Sequence, residues 1–311
     1  MVHRVIGQEE LSLVTGAKAR SSLDELHRLL DWGPVARLLS PVHASAKGEA
    51  AWPPLAMFKA LLLSIWYDLS DVKLAEALDD RASFRRFCGF SSGEPTPERT
   101  AFVRFRLALV KVGLDHVLFE TVNAQLKAKA IRVKTGTIVD ATIIASASEA
   151  DDDGRWVKHK NKPAVHGFKA HVAADADTAL VEQVCVTPAN VNDGRAGPDA
   201  LPAEPGDVFA DSAYRGRHFD DAVRARGGRP RIAATAMWGR DETKTLARLA
   251  AYNEPIQRIR ARIEKIFGTC KRSYGLRRMR WRGLAKATAQ VHLTAIAYNL
   301  KRTLTITAQP A

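Results

Sequence analysis

Asp140, Asp211 and Glu264 are carboxylates in three contexts where an ordinary surface acid is out of place, and together they read as a metal-binding acidic triad. Hard divalent ions such as Mg²⁺ take oxygen ligands held on rigid elements. A pair of such ions activates an attacking oxygen and stabilises a leaving one at phosphorus, so phosphodiester chemistry is the natural use. Two cations frame the last acid at helical spacing, Arg260 before Glu264 and Lys271 after it. The plainer reading is that each acid merely caps an element or faces solvent, since polar residues are common at element ends. The joint pattern favours the triad.

Positioning these groups requires particular elements. Asp140 sits in the β-branched run Thr137 to Ile144, whose composition suits a buried strand. Asp211 follows the short apolar strand Asp207 to Ala210, so it occupies the loop at a strand end. Glu264 belongs to a helix expected from about Asn253 to Cys270, where Ile256, Ile259, Ile263 and Phe267 recur at helical steps. Between the first two acids, His166 to Ala173 and Leu180 to Val186 read as a hairpin turning through Asp175 to Thr178. A short helix is expected after Asn192, and a last strand at Arg231 to Thr235.

Charge points to a polyanionic partner. The 311 residues carry 47 Lys and Arg against 34 Asp and Glu, a formal net charge of +13, with a pI near 9.9, which favours nucleic acid and salt-sensitive binding. The excess is localised: Arg258, Arg260, Arg262, Lys265, Lys271, Arg272, Arg277, Arg278, Arg280 and Arg282 surround the lone acid Glu264. A lone Glu in such a field is best explained by a metal and a phosphate nearby. Tyr274 and Trp281 interleave the stretch and either stack on an unpaired base or pack on the core. A second basic group, Arg155, Lys158, Lys160, Lys162 and Lys169, follows Asp151-Asp152-Asp153-Gly154 and reads as a loop closing on DNA or as a solvated hairpin tip. His159, His166, His171 and Cys185 lack zinc-ligand spacing.

The array Arg260, Glu264, Lys271, with Val139-Asp140-Ala141-Thr142, Ala210-Asp211-Ser212-Ala213-Tyr214-Arg215-Gly216 and Met279-Arg280-Trp281-Arg282-Gly283-Leu284, resembles bacterial insertion-sequence transposases of the DDE type, in the insertion-sequence-five branch. One departure is Gln257, where the wider pattern has Tyr three residues before Arg260; Tyr252 is off register. The resemblance implies an α/β, RNase H-like (retroviral-integrase-like) mixed sheet with helices, preceded by an all-α N-terminal domain. It implies that Asp140, Asp211 and Glu264 hold two Mg²⁺ ions, with Mn²⁺ as a substitute, and that the reaction is cleavage at terminal inverted repeats followed by strand transfer. Double-stranded DNA is then the partner, met by Arg260, Lys271, Arg272, Arg277, Arg278, Arg280, Arg282 and Lys169. Arg260 orients Glu264 or binds the DNA backbone, and the residues do not choose between these. Because two DNA ends must meet, a homo-oligomer, dimer or larger, is expected. A metal-dependent nuclease of the same fold, or a catalytically silent transposase-derived regulator, are the rival readings.

Residues 1–130 are helix-patterned and expected to form a DNA-binding or dimerisation domain, with the catalytic domain at 131–311. Pro53-Pro54 opens one helix, Ser70 caps the next, and Thr96 with Pro97 starts another that exposes Arg99, Arg104, Arg106 and Lys111. Cys88, Cys185 and Cys270 are too sparse for a disulfide framework. The start lacks the apolar core of a secretion signal, so the expected location is the bacterial cytoplasm, on the nucleoid.

Overall fold

The computed structural model describes residues 3–7, 21–42, 50–130, 134–158 and 163–308. His159, Lys160 and Lys162 of the second basic group lie outside the described residues. Two compact units emerge, residues 1–129 with 292–311, and residues 130–291.

The first unit is helical: α1 (Ser22–Leu29), α2 (Trp32–Leu39), α3 (Pro54–Trp66), α4 (Asp71–Asp80), α5 (Ala82–Cys88), α6 (Arg99–Lys111) and α7 (Leu114–Ala130). α3 is apolar on every side, so it is the helix the others surround, and even Lys59 and Ser64 are buried in it. Ser70 caps α4, its hydroxyl accepting from the Lys73 N–H. Thr96 does not cap α6, which begins at Arg99; its hydroxyl donates to the Asp79 carboxylate instead. Arg106, expected at the surface, is 7% exposed, because its guanidinium forks onto Asp71 with both distances at 2.6 Å. The C-terminal residues from His292 group with these helices and not with the sheet, where a boundary at 130/131 assigns them. The His292 ring pairs with Asp115 at 2.7 Å, Asn299 donates to Asn123 at 2.8 Å, and the Trp66 indole donates to the Ala297 carbonyl at 2.9 Å.

The second unit is a six-stranded sheet with helices on it. Its strands are β1 (Gly136–Ala145), β2 (Arg155–Val157), β3 (Val165–Asp175), β4 (Val181–Pro188), β5 (Asp207–Ala210) and β6 (Arg229–Ile232). β3 pairs antiparallel with β1, β4 and β2, while β1, β5 and β6 run parallel to one another. The path β4-β3-β1-β5-β6, an antiparallel trio joined to a parallel pair, is the RNase H-like arrangement. β1 and β5 approach closely where they meet. A Cβ on Gly136 would lie 2.4 Å from the Asp207 carbonyl oxygen, so only glycine fits there. β6 takes in Pro230, just before the expected start at Arg231, and tolerates it because β6 is an edge strand with a free side.

Alternation along β1 separates two jobs. Val139 joins Ala173, Val208, Ala210, Tyr214, Phe219, Val223 and Ile232 in a buried cluster on one face. That face is covered by α8 (Asp193–Ala196), a 3-10 turn at Gly197–Ala200 and α9 (Arg217–Ala225). Asp140 points to the other face, against α10 (Glu242–Ser273). α10 starts well before the expected Asn253 because Asp241 caps it, accepting from the Lys244 N–H at 3.0 Å. Pro255 sits inside it, and two residues earlier Asn253 ties the helix to the chain after β6, accepting from the Ala234 N–H and donating to its carbonyl at 2.8 and 2.9 Å. Ile256, Ile263, Ile266 and Cys270 supply its buried stripe. The acidic run after β1 is not a free loop. Asp151 is 5% exposed, and Asp151 and Asp153 accept from the Gly283 and Leu284 N–H groups at 2.9 and 2.8 Å, capping α11 (Leu284–Ala308). No helix among the described residues is long and apolar enough to cross a membrane.

Candidate active site

Asp140 lies in the middle of β1 and Asp211 at the first residue after the shorter β5, and the parallel register of these strands, which pairs Ile138 with Phe209, sets the two side by side. Each spends one carboxylate oxygen on local backbone. Oδ1 of Asp140 accepts from the Ala141 N–H at 2.7 Å, and Oδ1 of Asp211 accepts from the Ala213 N–H at 2.9 Å, capping the 3-10 turn Ser212–Tyr214. The other oxygens converge on one cation. Oδ2 of Asp140 and Oδ2 of Asp211 lie 3.0 and 3.9 Å from the same guanidinium nitrogen of Arg260. Among the described residues Arg260 pairs with the aspartates and not with Glu264, a partner that neither role considered for it includes.

The electrostatics of this pair are strained. Burial pushes the Asp140 carboxyl up to about 6 from its ordinary 3.8, Arg260 opposes the rise, and Asp211 adds to it as a like charge. Beneath them Tyr214 is 0% exposed. Its phenol is pushed well above the usual range, first by burial and then by the negative charges of Asp140, Asp193 and Asp211. Among the described residues its hydroxyl has no hydrogen-bond partner.

Glu264 is one helical turn beyond Arg260 on α10, about 6 Å along the axis. It is exposed and, among the described residues, makes no ion pair or hydrogen bond. No group of three His, Cys, Asp or Glu side chains gathers among the described residues as a metal cluster would. Two of the three expected acids are therefore together and the third stands apart. The donor set of the pair suits a hard divalent ion, because two carboxylate oxygens already turn toward one positive charge.

The predicted DNA-contact residues divide by what holds them. Lys271 donates to the Ile143 carbonyl at 2.8 Å, tying the end of α10 to β1, and Arg278 donates to the Ser146 carbonyl at 3.0 Å. Lys169 is withdrawn from the surface: it is 7% exposed, and its ammonium donates to the Val191 carbonyl and to Asp193 at 2.7 and 2.8 Å. Its place on a central strand, not its charge, decided that outcome. Arg277, Arg280 and Arg272 are exposed and Arg282 lies in the same loop, whereas Tyr274 and Trp281 are half-buried. Gln257 is exposed, and the Tyr252 hydroxyl donates to the Ile232 carbonyl at 3.2 Å, away from the aspartates. Sequence reasoning missed the burial of Tyr214 and the Lys169–Asp193 pair. The only signal for the first was its spacing three residues after Asp211.

The fold and the paired aspartates define an RNase H-like core with a candidate acidic site. Residues 131–300 match the family model of the transposase DDE domain, and residues 14–107 match that of a transposase domain (DUF772). The first match covers more than half of the chain, which therefore belongs to the DDE transposases of insertion sequences. Among solved structures, the chain is similar to one described as a cryo-EM structure of the piggyBac transposase synaptic complex with hairpin DNA, at 9% identity and a TM-score of 0.48, covering 91% of this chain and 72% of that one.

Proposed function

We propose that this DNA transposase works by a cut-and-paste route, cleaving at the terminal inverted repeats of its element and joining the freed ends to target DNA, with Mg²⁺ as the cofactor. The reading rests on one observation, that Asp140 and Asp211 each turn Oδ2 to a single shared cation. Asp140 and Asp211 would hold the metal through these oxygens, and Glu264 would supply a further carboxylate from α10. Bound there, two Mg²⁺ ions, or Mn²⁺ in their place, would activate water and later a DNA 3′-hydroxyl, and stabilise the departing 3′ oxygen. The chain's own residues do the rest. Arg260 keeps Asp140 ionised against its burial and holds the two carboxylates on a common focus. Lys271, bound to the Ile143 carbonyl, fixes the helix that carries Arg260 and Glu264 to the strand that carries Asp140. Arg272, Arg277, Arg280 and Arg282 bind DNA phosphates. The helical unit recognises the terminal repeats, and two copies or more assemble because two ends must react together.

The test incubates purified protein with the DNA ends that flank its gene, a target plasmid and Mg²⁺, beside Glu264→Ala and Asp211→Ala. Joined product that disappears in both variants, with DNA binding retained, is the expected result. Cleavage without joining would replace this reading by a nuclease of the same fold, and binding with neither reaction by a silent DNA-binding regulator.

A further inference from the structure

Lys169, buried, and Asp193, half-buried, form an ion pair on the face of the sheet opposite to Asp140, and a metal site at the aspartates gives it no role. Lys169 projects from β3, whose register sets it beside Ile143 of β1. Its ammonium donates to both the Val191 carbonyl and the Asp193 carboxylate, so it grips the chain on either side of Asn192. His171, two residues along the same face and 0% exposed, bonds Thr187 at 3.0 Å through Nε2 and places Nδ1 4.0 Å from Asp193. Burial lowers its pKa to about 4, so His171 is neutral and Lys169 is the cation that Asp193 sees.

Asp193 is the first residue of α8, and α8 lies directly on the turn that carries Asp211. A Cβ on Gly194 would be 3.1 Å from the Ala213 carbonyl oxygen, and one on Gly197 would be 2.8 Å from the Tyr214 ring. The glycines let the chain lie close against that turn, with no side chain of their own between to absorb a shift. The Ala213 N–H in that turn is the donor that orients Asp211. An ion pair with its cation buried adds little net stability compared with apolar residues of the same volume, so its use is better sought in fixing one geometry.

We propose that Lys169 and Asp193 are positioning residues that clamp α8 against the Ser212–Tyr214 turn and so hold the Asp211 carboxylate on the focus it shares with Asp140. The role rests on Asp211 as a metal ligand. A residue supporting a ligand from behind usually changes metal affinity by about 10–100-fold when it is removed.

The experiment compares the full chain with Lys169→Met/Asp193→Leu, which leaves no lone buried charge, and with Asp193→Asn, which keeps a hydrogen-bond acceptor. Mn²⁺ affinity is read by electron paramagnetic resonance, and amide exchange is followed across the unit. The clamp predicts Mn²⁺ binding weakened about 10-fold in the double variant, and faster exchange at Ala213 and Tyr214 with β1 and β3 unchanged. Asp193→Asn should shift both in the same direction by less, and stands in if the double variant does not fold. Wild-type exchange at Ala213 and Tyr214 would overturn the clamp. So would an equal rise in exchange across β1, β3 and β4, which reports core stability alone. Asp211→Asn is the control that separates the two readings: wild-type Mn²⁺ affinity in that variant would remove Asp211 from the metal site, while the exchange comparison would still decide the clamp.

Discussion

Replacing Asp140 by Asn should make the metal-free protein more stable at neutral pH while removing its chemistry. The folded protein holds the Asp140 carboxyl near 6, against 3.8 in the ordinary state. A raised carboxylate pKa means that ionised Asp140 is accommodated less well in the folded than in the unfolded chain. This destabilisation is absent below pH 3.8, grows as pH rises toward 6, and is fully present above it. At 1.36 kcal/mol per pH unit the full effect is about 3 kcal/mol. Asn has nearly the shape of the protonated acid and carries no charge, so Asp140→Asn should recover up to about that amount at pH 7.5, less whatever Arg260 forfeits by keeping only its longer approach to Asp211. In a chain of this size each kcal/mol moves the melting temperature by about 2–4 °C. The assay is thermal unfolding of both proteins in a chelator at pH 4 and 7.5, then again at pH 7.5 with Mg²⁺. The variant should melt several degrees higher at pH 7.5 and the difference should vanish at pH 4. Mg²⁺ should then raise the wild type by about 3 kcal/mol at a hundredfold excess over its dissociation constant, and the variant by much less. A variant no more stable than wild type at pH 7.5 without metal, or equally favoured at both pH values, would refute the reasoning, because the gain would not come from charge.

The remaining predictions concern what holds the site and what meets DNA. Replacing Arg277, Arg280 and Arg282 by Ala should lower the slope of log affinity against log salt by about 0.9 for each phosphate left without its guanidinium, read by fluorescence anisotropy over a salt series. Lys271→Met removes the donor to Ile143 and should lower stability by about 2 kcal/mol with that slope unchanged; a lower slope with unchanged melting would make Lys271 a phosphate ligand instead. Gly136→Ala drives a Cβ toward the Asp207 carbonyl and should cost about 1–3 kcal/mol in denaturant unfolding, with reduced strand transfer because β1 and β5 carry the two aspartates.

The parts of the site that were legible in the sequence are those written in local patterns. The β-branched run around Asp140 and the short apolar run before Asp211 became β1 and β5, and the strands delivered both acids together. Helix periodicity found α10 but not its start, since Pro255 resembles a first-turn proline and the true cap, Asp241, lies beyond a first stretch with no buried residues. Thr96 showed the limit of cap signals: α6 begins only at Arg99, and the Thr96 hydroxyl donates to Asp79 of another helix. Lys169 and Arg106 failed for one reason: a cation in a basic stretch looks solvent-directed until its partner is known, and Asp193 and Asp71 are distant in sequence. Glu264 was placed on the right helix, but the spacing of Arg260 and Glu264 does not reveal that the arginine takes the aspartates first.

The arginine-rich stretch after α10 is held at both ends. At its start, the Met279 N–H donates to the Ala145 carbonyl at 2.7 Å, and the Ala145 N–H donates back to the Arg277 carbonyl at 3.1 Å. At its end, the carboxylates of Asp151 and Asp153 secure the Gly283 and Leu284 N–H groups. A basic arm that hung loose would lose about 1–2 kcal/mol of backbone freedom for every residue it ordered on a ligand. In this stretch the main chain is already set, so in the proposed DNA-binding role only side-chain torsions would remain to be frozen, and the stretch would meet the duplex as a stiff comb of guanidinium groups.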